Sequence, residues 1–284
     1  MKALIYLFVF IFGLIVGSFL NCIIYRLSKK ESFLVKKSYC PYCKHTLHWQ
    51  DLIPLLSFLI LKGRCRYCKK PISLQYPLVE FATGFLFLLV VSQNINSLFF
   101  ELLNCEAITR SGATGFLIFS FLNILFLFFV SCCLIIIFVY DLKHYVVPDR
   151  VIYPAIFIAG SWYLVVSIFF NHYLKYEILN IMYSAVLAAV FFLAIVLISG
   201  GKGMGIGDVK LAFFMGLLLG YPNILVALSS SIFLGTVIGI MLIISGKRSL
   251  KSEVPFAPFL VTGTFLAMFF GEKIIDFSLR LFVV

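Results

Sequence analysis

Long apolar runs, broken by short polar segments, make up almost the whole chain. Within 118–139 nearly every side chain is apolar, and the strict alternation that marks a transmembrane barrel strand is missing. Such runs are helices, and about 20 apolar residues carry a helix across the hydrocarbon layer. The pattern predicts eight spans, at 3–25, 79–100, 115–140, 151–170, 179–199, 209–220, 224–244 and 256–280. The sixth is short. It is separated from the seventh only by Gly220-Tyr221-Pro222-Asn223, a strong turn signal inside an otherwise continuous apolar stretch.

Composition agrees with this all-α, polytopic membrane class and excludes others. Of 284 residues, 62% are hydrophobic and 12% charged, with a mean hydropathy of +1.09. That leaves too little polar surface to enclose a water-soluble core. Disorder, collagen and extended coiled coil need charge-rich or Gly/Pro-dominated sequence, which 19 Gly and 9 Pro do not supply. The first run is read as a retained membrane helix, not a cleaved signal. Its apolar stretch exceeds the usual signal core, and the basic sequence follows it instead of preceding it.

The net charge of +11 would suggest nucleic acid in a soluble protein, but here it reports topology, and no nucleic-acid partner is expected. Between Ser28 and Pro77 lie Lys29, Lys30, Lys36, Lys37, Lys44, Lys62, Arg64, Arg66, Lys69 and Lys70 against Glu31 and Asp51, an excess of +8. The positive-inside rule makes this segment cytoplasmic and the amino terminus external. Loops then alternate, with Lys143, Arg150, Lys202, Lys210, Lys247, Arg248 and Lys251 inside, whereas the outer loops carry Glu101, Glu106, Arg110, Lys175 and Glu177. The expected organisation is a first helix (1–27), a cytoplasmic loop domain (28–77) and a membrane core (78–284).

The loop domain carries Cys40-Pro-Tyr-Cys43 and Cys65-Arg-Tyr-Cys68. Two CxxC knuckles at near zinc-ribbon spacing predict a tetrahedral Zn²⁺ site of Cys40, Cys43, Cys65 and Cys68. A loop with so small a core gains folding free energy from such a metal. Disulfides or a thioredoxin-like redox pair are the competing reading, disfavoured by a cytosolic location and by the lack of a βαβ pattern. His45 and His48 are read as surface residues. Cys22, Cys132 and Cys133 read as small apolar helix residues, and Cys105 has no obvious partner.

Acids are scarce, so their positions carry information. Asp141 closes the long third run, and Asp208 follows Gly203-Met204-Gly205-Ile206-Gly207 at the start of the sixth. Ionisable groups at membrane depth are costly and mark functional sites by default. Two such carboxylates on one side of the membrane can share a proton as a water-activating dyad, with the glycines allowing close backbone approach. Spacing alone leaves other roles open: Asp208 as a helix cap, Asp141 as a partner of Lys143, and Asp149, after Pro148, as the start signal of the fourth span. The segment Gly200-Gly201-Lys202-Gly203 lacks the pattern of a nucleotide P-loop.

Taken in order, these segments resemble one family along almost the whole chain. Gly17-Ser18-Phe19-Leu20-Asn21-Cys22-Ile23-Ile24-Tyr25-Arg26-Leu27, Asp51-Leu52-Ile53-Pro54-Leu55-Leu56-Ser57-Phe58 between the CxxC pairs, Tyr76-Pro77-Leu78-Val79-Glu80, and Asp141 through Pro148-Asp149 come first. Gly205-Ile206-Gly207-Asp208-Val209-Lys210 and Val254-Pro255-Phe256-Ala257-Pro258-Phe259-Leu260 follow. They are similar to the motifs of type IV prepilin peptidases, bifunctional leader peptidases and N-methyltransferases of the GxGD class of intramembrane aspartic proteases. Ala257 stands where many members have Gly.

The resemblance implies that Asp141 and Asp208 are catalytic and that the substrates are prepilins and the pseudopilins of type II secretion. Their leaders would be cleaved after a glycine at the cytoplasmic face of a bacterial inner membrane. It also implies methylation of the new amino terminus with S-adenosylmethionine as donor, for which the sequence offers no glycine-rich Rossmann fingerprint. Prepilin leaders are usually basic, so the +8 loop is read as a contact with anionic lipid headgroups instead. The residues leave two other classes to weigh. One is an ion-coupled transporter using the same carboxylates, for which no inverted repeat is evident; the other is a non-catalytic scaffold that docks through its zinc loop. Archaellin-type processing enzymes share the dyad but usually lack the four-cysteine loop.

Overall fold

A computed structural model describes residues 2–29, 31, 38–103, 111–169, 174–200, 204–246 and 254–282. Lys30, Lys36, Lys37, Cys105, Glu106, Arg110, Gly201, Lys202, Gly203, Lys247, Arg248 and Lys251, on which parts of the charge and motif readings fall, lie outside the described residues. Among those described there is no β-strand beyond two isolated bridges.

All eight apolar segments are helical. They form α1 (Lys2–Lys29), α3 (Gln75–Leu103), α4 (Ser111–His144), α5 (Asp149–Phe169), α6 (Leu174–Ile198), α7 (Ile206–Leu219), α8 (Asn223–Ile244) and α9 (Ala257–Phe282), with a five-residue α2 (Leu56–Ile60) in the loop domain. Seven are long and apolar enough to cross a membrane, and α7, at 14 residues, is the exception. The protein is therefore a multi-pass membrane protein. Contacts gather into two units, Met1–Ile136 and Ile137–Val284.

In the first unit α1 packs along α3. Lipid tails are as apolar as leucine, so helix association rests on shape and polar contacts more than on hydrophobic burial. Phe10 meets Phe81 edge-on at 6.0 Å, and Phe87, fully buried, stacks on Phe128 of α4 at 3.9 Å. A polar seam joins the two helices near the loop domain. The buried Asn21 amide donates to the Tyr76 carbonyl at 3.0 Å and accepts from Gln75 Nε2 at 3.3 Å. The equally buried Glu80 accepts the Leu55 N–H at 2.9 Å, tying the loop to the second turn of α3.

In the second unit α7 is the central helix, packed against α5, α6 and α9, with Leu211, Phe214 and Met215 completely buried. A Cβ on Gly216 would lie 2.4 Å from the Ala185 Cα, so the α6 and α7 backbones touch there. Asn180 of α6 pins the turn after α7 by donating to the Tyr221 carbonyl at 2.9 Å and accepting its N–H at 3.1 Å. From that common level α6 rises about 27 Å to Ile198, whereas α7 rises only about 20 Å to Ile206. The first turn of α7 is thus recessed below the end of its neighbour.

Candidate active site and metal centre

The end of α4 sets the position of the first acid. Helix α4 closes on Tyr145, whose φ of 56° is left-handed and whose N–H returns to the Asp141 carbonyl at 2.9 Å. Pro148 then keeps the preceding residue extended, so the chain reverses directly into α5. Asp141 is left in the last turn, 4% exposed. Its carboxylate accepts the N–H of Ala257, the first residue of α9, and so sits at that helix's positive end. The other oxygen, Oδ2, is buried without a hydrogen-bond partner. An unsatisfied buried acceptor costs about 1–3 kcal/mol. The alternative partner Lys143 is exposed to solvent and does not pair with Asp141.

Asp208 is placed by the glycines before it. Gly205, extended at φ −87° and ψ 156°, caps α7, and Asp208 three residues on accepts the Gly205 N–H at 3.3 Å. The capping role left open by spacing is therefore real, and it orients the carboxylate. Asp208 is 9% exposed, within electrostatic reach of Asp141. Two buried carboxylates from different helices thus lie within electrostatic reach of each other in the second unit.

Two contacts hold the α4–α5 turn against the first turn of α7. A Cβ on Gly207 would lie 3.0 Å from Val147 Cβ, so any larger residue needs the α4–α5 turn to give by a few tenths of an ångström. Lys210 Nζ bonds Asp149 Oδ1 at 2.6 Å and lies 4.7 Å over the Tyr153 ring. Asp149 is indeed the first residue of α5. Its carboxylate, however, serves Lys210, a pairing that no local spacing signals because 61 residues separate the partners.

In the first unit the four predicted cysteines come together. The sulfurs of Cys40, Cys43, Cys65 and Cys68 all lie within 4.8 Å of one another, Cys40 to Cys68 being 3.9 Å, and none is in a disulfide. A tetrahedral ion with metal–sulfur bonds of about 2.3 Å needs sulfurs about 3.8 Å apart, so the set fits a metal ion. The two knuckles repeat each other. Cys40 N–H bonds the His45 carbonyl and Lys44 N–H the Cys40 carbonyl, while Cys65 bonds Lys70 and Lys69 bonds Cys65 in the same pattern. Lys44 and Lys69 both take left-handed φ, and the bridges Tyr39–Thr46 and Arg64–Pro71 close both turns.

Burial works against a Cys40 thiolate, but the N–H groups of Cys43 and Tyr42 and the neighbouring thiols bring its pKa down to about 7. His45 stacks near Tyr67, ring centres 3.8 Å apart, and neither it nor His48 joins the sulfur cluster. Near the loop, Asp51 accepts from the His48 N–H, the Tyr67 hydroxyl and Arg66, the last at 2.7 Å. Although burial raises its pKa, these donors hold Asp51 below its ordinary range.

Residues 11–94 match the bacterial peptidase A24 N-terminal domain, and residues 127–240 match the type IV leader peptidase family. A prepilin leader peptidase/N-methyltransferase of Bacillus subtilis (strain 168) is 29% identical over 276 residues, 96% of this chain and 97% of that relative. One from Aeromonas hydrophila is 30% identical, with 97% and 94% covered, and one from Legionella pneumophila is 30% identical, with 95% and 93% covered. No solved structure matches the chain. The likeness runs from end to end at this level, and both halves are matched separately: the chain belongs to the type IV leader peptidase family.

Proposed function

We propose that this protein cleaves the leader from prepilins and pseudopilins through an Asp141/Asp208 dyad and methylates the amino terminus so exposed. The observation that carries the catalytic assignment is the pair of buried carboxylates from α4 and α7, one with an oxygen free of protein partners. The ionised carboxylate takes a proton from water as the water oxygen attacks the scissile carbonyl, and the protonated one donates to the carbonyl oxygen. Collapse of the tetrahedral diol breaks the C–N bond, with the proton delivered to the leaving amine. Each acid is oriented for this role by a backbone N–H at a helix start.

The functional division is a first helix (1–27), a metal-binding loop (28–77) and a peptidase core (78–284). Zn²⁺ is the ion best matched to four thiolates, held by Cys40, Cys43, Cys65 and Cys68, with a structural role. S-adenosylmethionine supplies the methyl group when bound. The all-helical fold argues against a Rossmann cradle for it, and no residue is assigned to hold it. Charge asymmetry supports an external amino terminus, with the loop and both acids at the cytoplasmic side of the inner membrane and the basic loop against anionic lipid headgroups.

The test is to coexpress a type IV prepilin with the wild type, Asp141→Asn or Asp208→Asn and to measure the intact mass of the pilin. The wild type should remove the leader and add one methyl group, and each variant should leave the precursor whole. Cleavage by either variant at the wild-type rate would sink the dyad.

A further inference from the structure

Helix α2 presents its apolar face outward. Leu56, Leu59 and Ile60, at positions i, i+3 and i+4, are 57%, 68% and 75% exposed, while Ser57 and Phe58 between them are half-buried. Single exposed apolar residues need no explanation, but a contiguous face does.

Position and charge say what covers it. Leu55, immediately before α2, donates its N–H to Glu80 Oε2, and Glu80 lies five residues from the start of the apolar span Gln75–Asn94. Helix α2 is thus tied beside one end of a helix long and apolar enough to cross a membrane, and the headgroup and acyl boundary at such an end is where interfacial helices bury an apolar face. Helix α2 then leads directly into a cavity of about 420 Å³ lined by Leu61, Lys62, Arg64, Cys65 and Lys69. Among the described residues none of those three cations makes an ion pair, and the loop acid Asp51 is engaged by Arg66.

We propose that α2 and the Lys62–Arg64–Lys69 cavity form a binding site for an anionic phospholipid, the phosphate lying at the cations and the acyl chains along Leu56, Leu59 and Ile60. This site rests on the membrane-facing reading of the loop given above and is independent of the catalytic assignment. A soluble phosphate satisfies the cations but leaves the apolar face in water. A second copy of the chain would bring two basic loops together, which like-charge repulsion opposes.

The test is native mass spectrometry of the full-length protein released from detergent, titrated with phosphatidylglycerol or with phosphatidylcholine. The wild type should prefer phosphatidylglycerol. Each cation near an anionic surface is worth about fivefold, so Lys62→Gln/Arg64→Gln/Lys69→Gln should lower that preference at least about tenfold. Arg64→Lys, which keeps the charge, should retain it, and Leu59→Ser/Ile60→Ser should weaken both lipids alike.

Thermal melting of each variant within a degree or two of the wild type shows that the loop is intact, and prepilin cleavage in lipid-free detergent, unchanged in all of them, separates this site from the peptidase reading. Undiminished phosphatidylglycerol preference in the triple variant overturns the proposal. So does displacement of the lipid by millimolar inorganic phosphate, or dimers that form through α2 in place of lipid binding.

Discussion

Gly205 and Gly207 sit two residues apart in one motif, yet they meet different demands. A Cβ on Gly205 would touch nothing closer than the Gly207 nitrogen at 3.8 Å, and its φ of −87° suits any residue. A Cβ on Gly207 would press on Val147 Cβ at 3.0 Å, which is main-chain-anchored and cannot swing away. Gly205→Ala should therefore keep most prepilin cleavage. Gly207→Ala needs the α4–α5 turn, which carries Asp141 at its start, to give by a few tenths of an ångström. Misplacing reacting groups by about 1 Å can cost about 10²-fold, so this smaller shift should lower kcat by about three- to tenfold, read by initial cleavage rates. Equal tolerance of both substitutions would show that this contact does not set the site.

Among the helices, α7 has the most exacting position, because it is a 14-residue helix enclosed by α5, α6 and α9. Gly216→Val would drive a side chain into the Ala185 backbone, 2.4 Å from the added Cβ. Backbone cannot yield as a flexible side chain does, so the change should cost about 1–3 kcal/mol or more, seen as a lower melting temperature in detergent. The Lys210–Asp149 contact acts at the same scale but through position. Partly solvated ion pairs are worth about 0–1 kcal/mol, so Lys210→Gln should leave the melting temperature nearly unchanged. If the pair aligns α5 with α7, the same variant lowers kcat more than it changes KM, and loss of neither parameter would remove that role.

At the scale of the molecule, the loop domain is a small polar module with few buried side chains, Cys40 and Cys65 among them. Its two turns repeat at a spacing of 25 residues and meet at the sulfurs and at the His45–Tyr67 ring contact. Structural zinc contributes about 10–16 kcal/mol of apparent binding free energy in comparable small modules. Elemental analysis of the purified protein should find one zinc per chain, and Cys40→Ser/Cys65→Ser should abolish it and open 38–74 to limited proteolysis. Protease resistance persisting after complete metal removal would mean that the loop folds without the ion.

The helical spans were legible because a bilayer imposes a length and a composition that a one-dimensional pattern records directly. All eight predicted segments are helices, and even the doubtful break at Gly220-Tyr221-Pro222-Asn223 is a real turn between α7 and α8. The cysteine knuckles were legible for a related reason, since metal ligands come in short local spacings. Glu80 and Asn21 were visible as polar residues within motifs. Their partners, the Leu55 N–H and the Tyr76 carbonyl, were not, because backbone groups carry no signature in the sequence.

Length, apolar periodicity and local spacing thus settle the class of protein and its helical segments, and they point to the four cysteines that come together and the two acids worth testing. Tertiary structure alone decided that Asp208 both caps α7 and lies within electrostatic reach of Asp141, that Ala257 supplies a donor to Asp141, and that Lys210 takes Asp149 from 61 residues away. It also decided that α2 turns its leucines outward. The division has a physical origin. Secondary structure and membrane insertion depend on neighbours within a few turns, whereas burial, electrostatic coupling and helix contact depend on which distant segments the packed chain brings within a few ångströms.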